Sequence, residues 1–311
     1  MASEKVTDRE KAIRTIAGNR IDKRLAQAIA NRIIAEGNAA VQECVASTGV
    51  RPGSEKTRKA STRAIRKSFS RTFLGMTARD RFKDVRVACL GMRKVQSCAA
   101  VPKPRDLLCV GTVDFDLAAS RALRSGAKNC QIGDRLLVSA SRHMIERMVQ
   151  RRGDQDLSSI LDVMKQAAAW ATIANDSEDA GCWMMPTRDG IAALDMEKVP
   201  GRFPGATRHV SFMVTYINAS DMTGTTEMVR DNLILNGCLE LTPAFPSFTD
   251  PTDAQLKAWR AMRDEGRDWE ERRDFAREVR KSRQMRRRAG QAMPQVDHSR
   301  HDSASASVPT M

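Results

Sequence analysis

The chain predicts an α+β protein, and three observations carry that reading. Short apolar runs rich in β-branched residues recur between 84 and 218, and each is too short for a helix. Two segments among them carry apolar residues at three- and four-residue steps, the period of an amphipathic helix. A third, sparsely apolar helix opens at Thr252-Asp253-Ala254-Gln255, a capping box.

Taken in order, Thr7-Asp8-Arg9-Glu10 is also a capping box and opens a short helix to about Ala17. Asp22 to Val45 is a second helix, with Leu25, Ile29, Ile33, Ile34 and Val41 on one stripe and a candidate break at Gly37-Asn38. Met1 to Ser47 therefore reads as a helical hairpin or a two-helix arm. Lys56 to Arg71 is basic and rich in Ser and Thr, either an exposed helix or a basic strap. Val85 to Leu90 and Leu107 to Val113 are strands, and Asp116 to Ser125 is a helix ending at Gly126. Arg135 to Val138 is a strand, and Ser141 to Arg152 and Leu157 to Ile173 are helices. Cys182 to Pro186, Gly190 to Met196 and His209 to Asn218 are three more strands, the first two joined by the turn Arg188-Asp189-Gly190. Thr242 to Pro251, with three prolines, is a connection, and the last helix runs to about Arg288.

The expected organisation is a basic helical arm (1–83), a central α+β domain with a short, mostly antiparallel sheet (84–249), a charged helix (250–290) and a disordered tail (291–311). The length, 311 residues, fits one large or two modest domains. With 16 methionines and only 5% aromatics, the core is expected to lean on thioether side chains.

No stretch approaches the ~20 apolar residues that span a bilayer. Met1 to Arg14 lacks the apolar centre of a secretory signal. The seven cysteines are odd in number and irregular in spacing, which argues against a disulfide framework or a cysteine-built zinc site. The expectation is a cytoplasmic protein with no membrane partner and no cofactor.

Net charge is +14. Residues 1–83 hold 19 Lys/Arg against 8 Asp/Glu, and 280–288 add six basic residues and no acid, while 84–279 are nearly balanced. Basic ends without an apolar face suit RNA or DNA, with Arg58, Lys59, Arg63, Arg66, Lys67, Arg71, Arg286, Arg287 and Arg288 as the contacting cations. Solvated surface charge is the competing reading.

The best foothold for chemistry is the helix after Leu136-Leu137-Val138. Ile145, Met148 and Val149 form its buried stripe, so His143, Glu146, Arg147 and Gln150 are expected to face away. His143 and Arg147 lie one turn apart. With Ser141 as N-cap, His143 sits in the first turn, where free N–H groups and the helix dipole favour an anion. A phosphate would dock between that turn and Arg147. An exposed face knit by intrahelical ion pairs is the alternative.

This Ser-x-His-x-x-x-Arg-x-x-x-Arg helix, followed by a second helix and β-strands, resembles the ribonuclease-toxin superfamily of small bacterial domains that includes barnase, colicin nucleases and RelE-like toxins. The resemblance covers Leu136 to about Met222, matching at Ser141, His143, Arg147, Arg151, Thr215 and Tyr216. It departs in the longer second helix, the insert Lys198 to Thr207 and the large flanking regions. It implies metal-independent RNA cleavage, with His143 as acid or base, Arg147 and Arg151 stabilising the phosphoryl charge, and Tyr216 or His209 as second proton carrier.

Phosphate-binding glycine loops and nucleophile elbows are absent from the sequence. His298 and His301 lack a third ligand of metal-site spacing, and Asp114 with Asp116 forms a minor Mg²⁺ candidate. Two readings compete with a nuclease. One is a non-enzymatic nucleic-acid-binding or assembly protein of a plasmid or phage-like element. The other is a scaffold that docks a protein partner through an apolar patch near Trp259 and Trp269 on the C-terminal helix.

Overall fold

The structure is a computed structural model. It describes residues 22–47, 62–63, 65–67, 69, 72–79, 84–95, 105–116, 131–152, 156–174, 180–200 and 207–291, with side chains undescribed in parts of these ranges, including 275–291. The expected helix at 7–17, the basic residues Arg58, Lys59 and Arg71, most of the 116–125 segment, the tail from 292 and both tail histidines lie outside these residues. Arg286, Arg287 and Arg288 are described as helical backbone only.

The architecture is α+β. Helix α1 (Lys23–Ser47) is followed by β1 (Phe73–Arg79), β2 (Asp84–Val95), β3 (Arg105–Asp116) and β4 (Gln131–Ala140). Next come α2 (Arg142–Arg152), α3 (Leu157–Ala174), β5 (Gly181–Thr187), β6 (Gly190–Pro200) and β7 (Thr207–Asn218). A 3₁₀ turn (Ala219–Asp221), α4 (Gly224–Leu235) and α5 (Asp253–Gln291) complete the order. The seven strands form one sheet in the order β1-β2-β3-β4-β7-β6-β5. Each neighbouring pair is antiparallel except β4 with β7, which run parallel from Val138↔Ser211 to Ala140↔Met213. A parallel pair needs a long return connection, and α2, α3, β5 and β6 lie within it. That places α2 directly against β7.

Two departures from expectation have local causes. Asp116 ends β3 instead of opening a helix, because Asp84↔Asp116 closes its ladder with β2. Helix α1 runs unbroken through Gly37, whose missing side chain has a packing reason. A Cβ there would lie 2.7 Å from Leu108 Cδ1, so glycine lets α1 settle on the sheet. The same helix packs on α2 and β2, with Ala26, Ala30 and Ile33 fully buried.

The core is rich in methionine, as composition implies: Met144, Met148, Met164, Met184, Met185, Met196 and Met213 are all buried. One cluster gathers Ile65, Phe69, Val85, Val87 and Phe115, with the Phe69 and Phe115 rings edge-on at 6.0 Å. Another gathers Leu107, Cys109, Leu136, Val210 and Phe212.

The chain divides into two units, Met1–Arg267 and Asp268–Met311. In the first, α5 begins with the expected capping box: Gln255 N–H donates to Thr252 Oγ1 at 3.2 Å and Thr252 N–H to Gln255 Oε1 at 3.0 Å. Trp259 then packs on Trp183 of β5 with ring centroids 4.9 Å apart. In the second unit, the Arg273 guanidinium covers the Trp269 ring at 4.9 Å and pairs with Glu270 at 3.1 Å. Trp259 is buried, and Trp269 is half-buried beneath a cation. Among the described residues no helix is long and apolar enough to cross a membrane.

Candidate functional site

Helix α2 starts as its sequence dictates. Ser141 caps it, accepting the Met144 N–H on Oγ at 3.2 Å while its carbonyl takes the Ile145 N–H at 3.0 Å. His143 is thereby set in the first turn. Met144, Ile145, Met148 and Val149 are buried, which anchors the helix through its apolar face.

Glu146 departs from the expected pattern. Its side chain is only 12% exposed, yet it is charged and so needs partners. Two neighbours on the same helix supply them. Arg142 Nε donates to Glu146 Oε1 at 2.8 Å, and His143 Nδ1 lies 3.7 Å from Glu146 Oε2. The imidazole itself is 64% exposed. A half-sunk carboxylate thus lies on the Nδ1 side of an exposed histidine, beyond hydrogen-bond distance. Sequence spacing put Glu146 on the polar face but could not show that it is the residue organising that face.

The three later arginines of α2 reach β7 and the β5–β6 turn. Arg147 Nη1 donates to Thr215 Oγ1 of β7 at 3.3 Å, and Arg151 Nη1 donates to the Tyr216 carbonyl. Asn218 Nδ2 answers with a bond to the Arg151 carbonyl at 3.0 Å. Arg152 Nε reaches Asp189 Oδ2 in the β5–β6 turn at 2.8 Å. Of these, Arg147 is the one within a turn of His143.

The two proposed second proton carriers lie elsewhere. Tyr216 has no exposed surface, and its hydroxyl donates to Asp189 Oδ1 at 2.9 Å and shares a hydrogen with Thr187 Oγ1 at 3.0 Å. Burial pushes the phenol well above its ordinary pKa. Burial also raises the Asp189 carboxyl, but Arg152 and the Tyr216 hydroxyl outweigh it and hold that carboxyl below the usual value. Tyr216 is thus part of a structural network under the β5–β6 turn. His209 stands opposite Lys198 at the start of β7, with Nε2 buried and without a hydrogen-bond partner. Partial burial lowers its pKa, helped by Lys198 and Arg263, and so favours the neutral imidazole.

Of the cations expected on nucleic acid, Arg63, Arg66 and Lys67 are exposed, and the Arg66 guanidinium lies 5.1 Å from the Phe73 ring centre. Of the minor Mg²⁺ candidate, Asp114 is held by Arg86 through two bonds of 2.8 and 3.1 Å. Among the described residues no group of three or more His, Cys, Asp or Glu is placed to hold a metal ion. Set against known protein families, curated proteins and solved structures, the chain matches none.

Proposed function

We propose that the chain binds RNA and cleaves it without a metal ion at the face carrying His143. The observation that supports this reading most is the Glu146–His143 pair, 3.7 Å apart, with the carboxylate sunk and the imidazole open to solvent. With the carboxylate on the Nδ1 side, Nε2 is the working nitrogen in this scheme and takes the proton of a ribose 2′-hydroxyl. The freed oxygen attacks the adjacent phosphorus, and the departing 5′-oxygen takes its proton from solvent at this open face. The unpaired N–H groups of the first α2 turn and the Arg147 guanidinium stabilise charge on the phosphoryl oxygens. Arg151 and Tyr216 support the scaffold in this scheme, Arg151 by fixing α2 to β7.

The test is cleavage of a labelled single-stranded RNA in the presence of a chelator. His143→Ala should lower the rate by about 10²–10⁴-fold, and Glu146→Gln by a smaller factor, with both variants folded by circular dichroism. Equal rates for wild type and His143→Ala would end the nuclease reading. Salt-sensitive RNA binding without cleavage would leave the alternative, a nucleic-acid-binding or assembly protein, which the exposed Arg63, Arg66 and Lys67 favour.

A further inference from the structure

A second site stands at the opposite end of α2. A cavity of about 650 Å³ opens beside Arg152 and the β5–β6 turn, lined by α3 residues Asp162, Val163 and Gln166, by Thr187, Arg188 and Asp189, and by the chain after α4 at Leu239, Glu240 and Thr242. Its frame is rigid. The Arg152–Asp189–Tyr216–Thr187 network fixes one wall, and Gln166 Nε2 donates to the Pro186 carbonyl at 3.0 Å. Arg230 of α4 clamps the turn from outside through a 2.8 Å bond to the Arg188 carbonyl. A cavity of this size with a few convergent polar groups is the usual form of a small-ligand site.

The charges lining it sort themselves. Arg152 is paired with Asp189 at 2.8 Å, and Asp162 with Lys165 at 2.6 Å. The Arg188 guanidinium and the Glu240 carboxylate, both exposed, line the cavity and have no ion pair or side-chain hydrogen bond among the described residues. A ligand that satisfies both must offer an anion to Arg188 and an N–H donor to Glu240. Among the lining residues, half-buried Leu239 and the buried Val163 are the apolar ones against which a flat body can rest. A nucleotide whose base carries an exocyclic amine has all three features. Along the helix, His143 and Arg152 are separated by about 13 Å, the reach of a short oligonucleotide.

We propose that this cavity binds one nucleotide of an RNA strand, with its phosphate on Arg188, its base between Val163 and Leu239, and its exocyclic amine on Glu240. The inference rests on the RNA reading above, but its test does not depend on cleavage. Cytidine monophosphate and uridine monophosphate serve as probes, because the exocyclic amine is the donor that separates them at that edge. Binding to the full chain is followed by calorimetry and by NMR shifts of the Gln166 side-chain amide.

Wild type should bind cytidine monophosphate about tenfold or more tighter than uridine monophosphate. Arg188→Ala should weaken both by a similar factor, and Glu240→Gln should shrink the preference for cytidine monophosphate. Both substitutions replace exposed side chains, so the fold should survive them. Equal affinity for the two nucleotides, a preference unmoved in Glu240→Gln, or no saturable binding would each overturn the assignment. Nucleotide binding in a chain that does not cleave RNA would keep this site and end the nuclease reading, whereas cleavage without nucleotide binding would do the reverse.

Discussion

Tyr216→Phe separates the two roles a tyrosine on β7 can play. The substitution removes one hydroxyl oxygen from a site with no solvent exposure and keeps the ring in place. Lost with it are the 2.9 Å bond to Asp189 Oδ1 and the 3.0 Å contact with Thr187 Oγ1. A hydrogen bond to a charged acceptor contributes about 1.5–3 kcal/mol. Three features pull the cost to the low end. The Asp189 side chain is 45% exposed and so partly served by water, and it keeps the Arg152 bond. It also keeps the Thr187 hydroxyl at 3.2 Å. The third is that phenylalanine no longer has a polar group to desolvate. A loss of about 1–2 kcal/mol follows, a fall of about 2–4 °C in Tm for each kcal/mol in a domain of this size.

The assay is urea unfolding read by the fluorescence of the buried Trp170 and Trp183, beside the RNA-cleavage rate of the same preparation. Stability should fall while the rate holds. The penalty should be flat at neutral pH and shrink in acid, for a reason the linkage sign makes plain. The Asp189 carboxyl lies below its ordinary pKa in the fold, so its stabilisation is complete above the ordinary value and disappears as pH falls through the folded one. A variant with unchanged stability and a cleavage rate reduced as far as that of His143→Ala would refute this account and make the phenol a proton carrier.

Two further outcomes test the frame around the site. A Cβ at position 266 would fall 2.4 Å from both the Cys182 carbonyl oxygen and Trp183 Cα, so Gly266→Ala should push α5 off β5 and cost about 2 kcal/mol or more in urea unfolding; a midpoint within error of wild type would show that α5 does not press on β5 there. His209 is held neutral below its ordinary pKa, chiefly by burial and then by Lys198 and Arg263, so its contribution is complete above about pH 6.5 and is lost as pH falls toward the folded value. The urea midpoint should therefore drop between pH 7 and pH 5, and a His209→Asn variant with the same drop would assign that loss to other groups.

The elements that were legible in the sequence are those whose apolar residues are concentrated within their own length. β4 through β7, with α2 and α3 between them, follow from short apolar runs, three- and four-residue steps, the Ser141 cap and the Arg188-Asp189 turn. β1 and α4 carry no such signal. β1 is nowhere fully buried, and it is held by its ladder with β2 and by a loop far along the chain, where Arg79 Nη2 bonds the Phe248 carbonyl at 3.0 Å. α4 buries only Val229 and Leu233 and leaves Met228 and Leu235 exposed, so its apolar residues trace no single stripe. The site shows the same division. Helical spacing made His143 and Arg147 neighbours, but the reach of Arg147, Arg151 and Arg152 to β7 and the β5–β6 turn depends on the parallel β4–β7 crossover, which no local pattern encodes.

That crossover gives the arginines of α2 a role beyond charge. A helix seated only by Met144, Ile145, Met148 and Val149 would have a greasy, adaptable contact, because methionine tolerates shifts of register. Bonds from three successive arginine positions to Thr215, the Tyr216 carbonyl and Asp189 remove that freedom, since sliding the helix would break all three together. With the C-terminal half of α2 locked, the first turn is fixed as well, and the Glu146–His143 pair is presented in one place relative to β7. Electrostatic stabilisation of a transition state gains most from groups that need not reorganise. Three of the four arginines of α2 thus fix the helix, and they locate the demand for precision at the sheet rather than at the surface.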